Sequence, residues 1–336
     1  MLVCLIVSIF QVQAADPPPP PLQGLNSINP GAELWREVRQ REGAVEGISQ
    51  VKSPGANELI NVSGENWRQY RVNTLIPKAG AAVLLVLIVI GIFRLLRGKI
   101  MLQGGRSGIK ILRFTLSQRF AHWSTAILFV ILGLTGLTLM LGRKFLIPVL
   151  GPEGFHVLAS IAKFLHDYLG PVFIFALTYL FVLFVRDNLP SFKIDLQWLM
   201  RGGGLFGGHA HADRYNAGEK AWFWIASLGG LAAIISGMVL DFPIFGQTRA
   251  TMEFYHMIHS VAAVVLICVA FGHIFMGTAA LEGTFEVMKT GYCDSNWAKE
   301  HHDLWYEKVK DGGEPAPQSP AETSTESEQR GSTDST

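Results

Sequence analysis

Charge is scarce in this chain. Asp, Glu, Lys and Arg make up 16% of its 336 residues, where ordinary soluble domains carry roughly a quarter. Basic and acidic residues nearly cancel, 28 against 27, leaving a net charge of +1. That balance provides no basic footprint for nucleic acid, which is therefore not an expected partner. Cysteine is scarcer still, with Cys4, Cys268 and Cys293 the whole supply. Three thiols fall short of the four that hold an iron–sulfur cluster and of any disulfide scaffold. The glycine-rich stretch Gly202 to Gly208 lacks the Gly-Lys-Ser/Thr ending of a phosphate-binding loop, so it reads as a flexible connection. Hydrophobic residues, by contrast, reach 49%, with 21 Phe among the aromatics. This composition points to a membrane protein.

A bilayer crossing needs about 20 mostly apolar residues, and five stretches supply them. They are Ile76–Leu96, Phe120–Leu141, Leu165–Val185, Ala221–Leu240 and Tyr255–Leu281. The shorter apolar run Met1–Val12 ends in Gln13-Ala14-Ala15-Asp16 and then prolines. A short apolar core closed by small residues is the pattern of a secretory signal, assigned here to residues 1–15. Loop charge sets orientation. Between Arg94 and Arg119 lie seven Lys or Arg residues and no acidic one. The loop after the third span is basic as well. Both loops are expected on the inner side, which puts residues 16–75 in the periplasm and the C-terminus in the cytoplasm of a bacterial inner membrane protein. Residues 76–97 then form an additional N-terminal membrane helix, and 110–308 a four-helix transmembrane domain. The tail, 309–336, is dominated by Pro, Gly, Ser, Thr and Glu and is expected to be disordered. The expected fold class is all-α. Asn61-Val62-Ser63 matches a glycosylation triplet, a pattern too frequent by chance to carry a role.

Histidine placement is the informative feature. Of ten histidines, four fall within or at the edges of the spans: His122, His166, His259 and His273. Ionisable groups there are costly and usually functional, the plain alternative being a hydrogen bond to a neighbouring helix. His259 and His273 lie on the last span, fourteen residues apart. At about 100° and about 1.5 Å per residue, both rings share one helix face and sit about 21 Å apart. The alternating topology then pairs His166 with His259 near the outer surface and His122 with His273 near the inner one. Two facing pairs of neutral imidazoles suit two six-coordinate haem irons. No Cys-x-x-Cys-His occurs, so these haems would be b-type. Gly133, Gly136, Ala262, Ala263 and Gly272 either give room to flat macrocycles or are ordinary close-packing positions. His256 and His156 read as too shallow to serve as ligands. His209, His211, His301 and His302 lie in polar segments and read as solvated or phosphate-contacting. A zinc site at His209 and His211 has no cysteine to support it. Cys4 leaves with the signal, and Cys268 falls in the last span with Cys293 in the inner tail, so no cross-link is expected.

These features bring the sequence close to a known family. Arg119-Phe120-Ala121-His122-Trp123, Leu165-His166, Tyr215-Asn216-Ala217-Gly218-Glu219-Lys220, Ile258-His259, Gly272-His273 and the tail run Trp297 to His302 with Trp305-Tyr306 resemble the gamma, cytochrome b, subunit of respiratory formate dehydrogenases. The similarity covers about Lys110 to Lys308. Trp35 to Arg39 and Gly64 to Arg68 resemble an N-terminal extension of longer members. The resemblance implies a four-helix di-haem core. It also implies an iron–sulfur beta subunit that brings electrons from a molybdenum- or tungsten-containing formate-oxidising alpha subunit on the outer side, and a quinone acceptor beside the inner haem. The quinone would be contacted by Asn216, Gly218 and Glu219, and by His273. The plain reading of Asn216 with Glu219 three residues on is a helix-capping box, and both readings can hold. The histidine pattern alone is shared with the cytochrome b subunits of membrane hydrogenases. A haem-free anchor or a transporter is the reading from another class, although no internal repeat of the transporter kind is evident.

Overall fold

The computed structural model describes residues 62–204 and 210–312, with strand pieces Val45–Glu46, Glu58–Ile60 and Glu314–Pro315. The expected signal (1–15), most of the 16–75 segment including Trp35 to Arg39, Asn61, His209 and nearly all of the tail lie outside the described residues.

Strands β1 (Val45–Glu46) and β2 (Glu58–Ile60) pair antiparallel. Helix α1 (Val62–Tyr70) runs through a π-helical turn, Arg71–Leu75, into α2 (Ile76–Arg97). Strand β3 (Ile109–Leu112) then precedes α3 (Leu116–Phe145), α4 (Ile147–Phe184), the short α5 (Phe192–Met200), α6 (Ala217–Asp241) and α7 (Arg249–Phe275). The chain continues through α8 (Thr284–Thr290), β4 (Tyr292–Asp294), α9 (Ser295–His301), α10 (Asp303–Val309) and β5 (Glu314–Pro315).

Five helical stretches are long and apolar enough to cross a membrane: Ser63–Arg97, Leu116–Phe145, Ile147–Phe184, Ala217–Asp241 and Arg249–Ala280. Each contains one of the five expected spans or nearly all of it. Three begin at side-chain caps. Thr115 and Gln118 form a reciprocal box ahead of α3, the Gln118 N–H donating to Thr115 Oγ1 (3.3 Å) and the Thr115 N–H to Gln118 Oε1 (3.1 Å). Asn216 and Glu219 do the same for α6, and Thr248 Oγ1 accepts from the Thr251 N–H for α7. These caps satisfy amides that the first helical turn leaves without partners. The third stretch starts at Ile147, well before the expected Leu165. Gly151 at φ 71° breaks its trajectory, and Pro152 restarts it at a position where a missing N–H costs nothing.

The long helices turn large apolar side chains outward. In the first span only Leu75 and Ala79 are buried, while Leu84, Leu85, Leu95 and Leu96 are exposed. Lipid is as apolar as leucine and leaves such faces without penalty. Burial concentrates instead where water must be excluded.

The chain forms two compact units. Of the described residues, the first takes those up to Ala82 with Leu134–Pro171 and Leu231–Val264, and the second takes those of Val83–Gly133, of Val172–Gly230 and from Val265 onward. The second unit holds a conventional core around Leu102, Ile111, Phe114, Phe184, Trp297 and Trp305. A three-stranded sheet in the order β4-β3-β5 contributes to this unit, with Ile111 opposite Cys293. The same unit pins the basic loop after α2 with carboxylates from the C-terminal segment. Arg106 meets Glu286 (2.7 Å) and Glu282 (3.3 Å), Asp294 accepts the Ser107 and Gly108 N–H groups, and Glu300 accepts those of Gln103 and Gly104. The loop that carries the orientation signal is therefore also a folded, acid-clasped element.

Candidate functional site

In the first unit, α4 presents His166 and α7 presents His259, with ring centres 5.9 Å apart and planes at 79°. Both rings are held from behind. His259 Nδ1 lies 2.9 Å from the Ala233 carbonyl oxygen, to which it donates, with the Ser236 hydroxyl 3.3 Å away. A proton fixed on Nδ1 leaves Nε2 with a lone pair for a metal. His166 Nδ1 is 2.9 Å from Thr135 Oγ1. Glycine makes these seats possible. A Cβ at Gly237 would come within 3.1 Å of His259 Cε1, and one at Gly136 within 3.2 Å of His166 Cε1. Of the five small residues weighed in the sequence, Gly136 seats the His166 ring, Gly133 packs near Ile267, and Gly272 faces open space.

In the second unit, α3 presents His122 and α7 presents His273, with ring centres 6.2 Å apart and planes at 53°. The Trp222 indole stacks on the His273 ring at 5.0 Å and 20°. Trp123 stands edge-on to His122 at 5.2 Å and donates from Nε1 to the Met288 carbonyl. His122 Nδ1 is buried and has no hydrogen-bond partner.

Both pairs fit an iron held between two imidazoles. Two metal–nitrogen bonds of about 2 Å each, plus the half-widths of two imidazoles, come to roughly 6 Å. A direct N–H···N bond of about 3 Å would draw the ring centres to roughly 5 Å. Among the described residues, no cluster of three or more His, Cys, Asp or Glu side chains could hold a bare metal ion. A pair of protein ligands suits a metal whose remaining ligands come from a macrocycle.

Residues 113–291 match the family described as prokaryotic cytochrome b561. The chain is 31% identical over 207 residues to the formate dehydrogenase cytochrome b556(fdo) subunit of Escherichia coli strain K12, covering 60% of this chain and 93% of that one. It is 28% identical to the nitrate-inducible formate dehydrogenase cytochrome b556(Fdn) subunit of the same strain, covering 60% and 92%. The formate dehydrogenase cytochrome b556 subunit of Haemophilus influenzae is 26% identical, covering 59% and 82%. The chain belongs to the family of formate dehydrogenase cytochrome b subunits. It is a multi-pass membrane cytochrome b subunit, and b-type haem is its family's cofactor.

In this cytochrome b subunit the turn that opens α6 is tied into a buried polar cluster. The Asn216 N–H donates to Glu219 Oε2 and the Glu219 N–H to Asn216 Oδ1, both at 2.9 Å, so the capping box is formed. Gly218 leaves room for Trp198 of α5, whose ring a Cβ would meet at 3.0 Å. Glu219 Oε1 lies 3.8 Å from Arg113 Nη2 and 3.7 Å from His302 Nε2. Arg113 is buried at 2% exposure, with the rings of Phe114, Tyr215, Trp297 and Trp305 centred 5.1–5.5 Å from its guanidinium carbon. It donates to the Arg214 carbonyl (2.6 Å) and to His302 Nε2 (3.1 Å). His302 in turn donates from Nδ1 to the Asp213 carbonyl (2.9 Å). Burial, with Arg113 adjacent, holds the His302 imidazole well below its usual range, so it stays neutral. Burial likewise pushes the Tyr215 phenol up and the Cys293 thiol up to about 11.

Of the remaining histidines, His302 departs from expectation. His302 is 1% exposed at the centre of this cluster, which overturns the solvated reading. Flanking charges suggested water, but the ring packs against Trp297, centres 5.1 Å apart, and takes a hydrogen bond from buried Arg113. His301 is partly buried beside Trp297, and burial lowers its pKa. His211 is exposed and meets Asp303 at 2.5 Å. His256 packs edge-on to Trp67, ring centres 5.5 Å apart, and His156 is exposed. Sequence reasoning did not single out Thr135, Ser236 or Trp222. A hydroxyl inside an apolar span was the available signal for the first two; nothing local marked the third. Arg113 was counted only as one more loop charge.

Proposed function

We propose that this subunit conducts electrons from an iron–sulfur beta subunit on the outer side of the membrane to quinone near the inner side, within a formate dehydrogenase whose molybdenum or tungsten alpha subunit oxidises formate. The observation that carries the reading is the repeated motif on α7. His259 and His273, about 21 Å apart by helical rise, each face a histidine from another helix at the spacing of a bridging metal. Two b-type haems, when bound, supply the one-electron carriers of this path. His166 and His259 would hold the outer one, and His122 and His273 the inner one. Ala233 and Thr135 orient the outer ligand rings, and Trp222 limits rotation of His273.

Asn216, Gly218 and Glu219 are the proposed quinone contacts, supported by the family resemblance and by a turn that is both rigid and partly open. The Glu219 side chain is 38% exposed while its carboxylate is held by Asn216 and faces Arg113. Electron movement inward with proton uptake inside would separate charge, each charge crossing 100 mV representing about 2.3 kcal/mol of work. The basic loop after α2 supports an inner position for that end of the chain.

The test is the substrate that reduces the purified complex. Formate should bleach and shift the haem bands, and a quinone analogue should reoxidise them. Reduction by hydrogen instead of formate would assign the chain to a hydrogenase. A complex without haem bands would leave a membrane anchor.

A further inference from the structure

The short helix α5 (Phe192–Met200) belongs to none of the five spans, yet it carries a strong apolar stripe. Phe192, Leu196, Leu199 and Met200 are exposed at 84%, 48%, 58% and 74%. Their spacing of four, seven and eight residues from the first puts them on one helical face. The flank and the far side are fastened to the protein. Asp195 meets Lys220 at 2.8 Å with both side chains largely buried, and Trp198 lies against Gly203 and Gly218. Charge is segregated in the same sense. The acidic residues of this segment turn to protein partners, Asp187 to Arg214 and Asp195 to Lys220, while Arg186 and Lys193 are exposed. The stripe also continues a surface already assigned to lipid. Phe175 and Val182 face outward on α4, Leu189 follows at the connection, and Phe192 opens α5.

We propose that α5 lies along the membrane surface, its apolar stripe in the headgroup–acyl boundary and its basic residues on anionic lipid headgroups. An apolar face flanked by outward lysine and arginine, with acids withdrawn, is what such a surface binds. Water contact would leave four large side chains exposed in one row, an arrangement that soluble surfaces avoid. Because Trp198 touches Gly218, a helix seated in this way also sets the α6 turn at the depth of the lipid interface. This inference does not depend on the quinone reading.

The test uses the assembled complex in nanodiscs, in a Cys268→Ser background. Spin labels are placed singly at Phe192→Cys, Leu199→Cys and Gln197→Cys, and their collision with oxygen and with a water-soluble nickel chelate is compared. The oxygen-to-nickel ratio should be severalfold higher at 192 and 199 than at 197. Adding phosphatidylglycerol to a phosphatidylcholine disc should raise it further, and Lys193→Glu with Arg186→Glu should cancel that lipid dependence. Equal ratios at all three sites would put the stripe in water and overturn the proposal. Labels at 192 and 199 shielded from both reagents would overturn it in favour of a protein partner. Should a label at 192 or 199 disturb folding, native Phe192 and Leu199 in the unlabelled protein can be probed with a photoactivatable lipid, where absence of cross-links to 189–200 would equally overturn it.

Discussion

Replacing Arg113 with methionine tests whether the buried guanidinium organises the second unit. The substitution removes a charge-assisted bond to the Arg214 carbonyl, about 1.5–3 kcal/mol, and leaves His302 Nε2 without its donor, about 1–3 kcal/mol more. Contacts with four aromatic rings go as well, although methionine sulfur returns about 0.3–1.5 kcal/mol against such rings. Relief of the cost of burying the cation offsets part of the loss. The Glu219 ion pair adds little, because that carboxylate is 38% exposed and 3.8 Å away. The balance is about 2–4 kcal/mol of destabilisation. At a tenfold change per 1.4 kcal/mol, amide protection across α9 and α10 should fall roughly thirty- to seven-hundred-fold in hydrogen exchange. Arg113→Lys should lose much of the same protection, since an ammonium lacks the planar guanidinium face that packs against the four rings. Unchanged protection, or a gain, would show that the cluster is an apolar core to which the charge contributes nothing.

Three further outcomes follow from the same geometry. Gly237→Ala should displace the His259 ring, because the new Cβ would stand 3.1 Å from Cε1, whereas Gly133→Ala, 3.7 Å from Ile267, should be tolerated; haem content per chain distinguishes the two. Asn216→Ala should cost α6 about 1 kcal/mol through loss of its cap, while Glu219→Gln keeps an acceptor for the Asn216 N–H and should spare helix stability but alter quinone kinetics. The clasp on the 100–108 loop should be acid-sensitive. The Leu102 N–H holds Glu282, and Arg106 holds Glu286, below the ordinary carboxylate value of 4.5. Their contribution is therefore complete above about pH 4.5 and is lost as pH falls through the depressed native values. Proteolysis at Arg106, slow at neutral pH and fast in acid, checks the sign.

The five spans were legible because a bilayer imposes a length and a polarity that single stretches of sequence must satisfy alone. The placing of His259 and His273 on one helix was legible for a related reason: fourteen residues on a helix fix both face and spacing. What lies outside the lipid was harder to read. Ile109–Leu112 is four residues long and pairs with strands near residues 293 and 314, a partnership without local signature. His302 lies in a polar stretch of the chain but packs against Trp297 and Arg113 in space. The apolar run marked only Leu165–Val185 of the third stretch, which extends back to Ile147 across a bend at Gly151 and Pro152. The seats of the His166 and His259 rings at Gly136 and Gly237 depend on a neighbouring helix and surface only once packing is known.

Haem counting in single-histidine variants addresses the wire itself. Purified wild-type chain should yield two b haems with bis-histidine low-spin spectra, and His166→Ala and His273→Ala should each yield one, with different spectra for the survivor. A wild-type chain without iron, or either variant keeping both haems, would contradict the assignment of these four histidines.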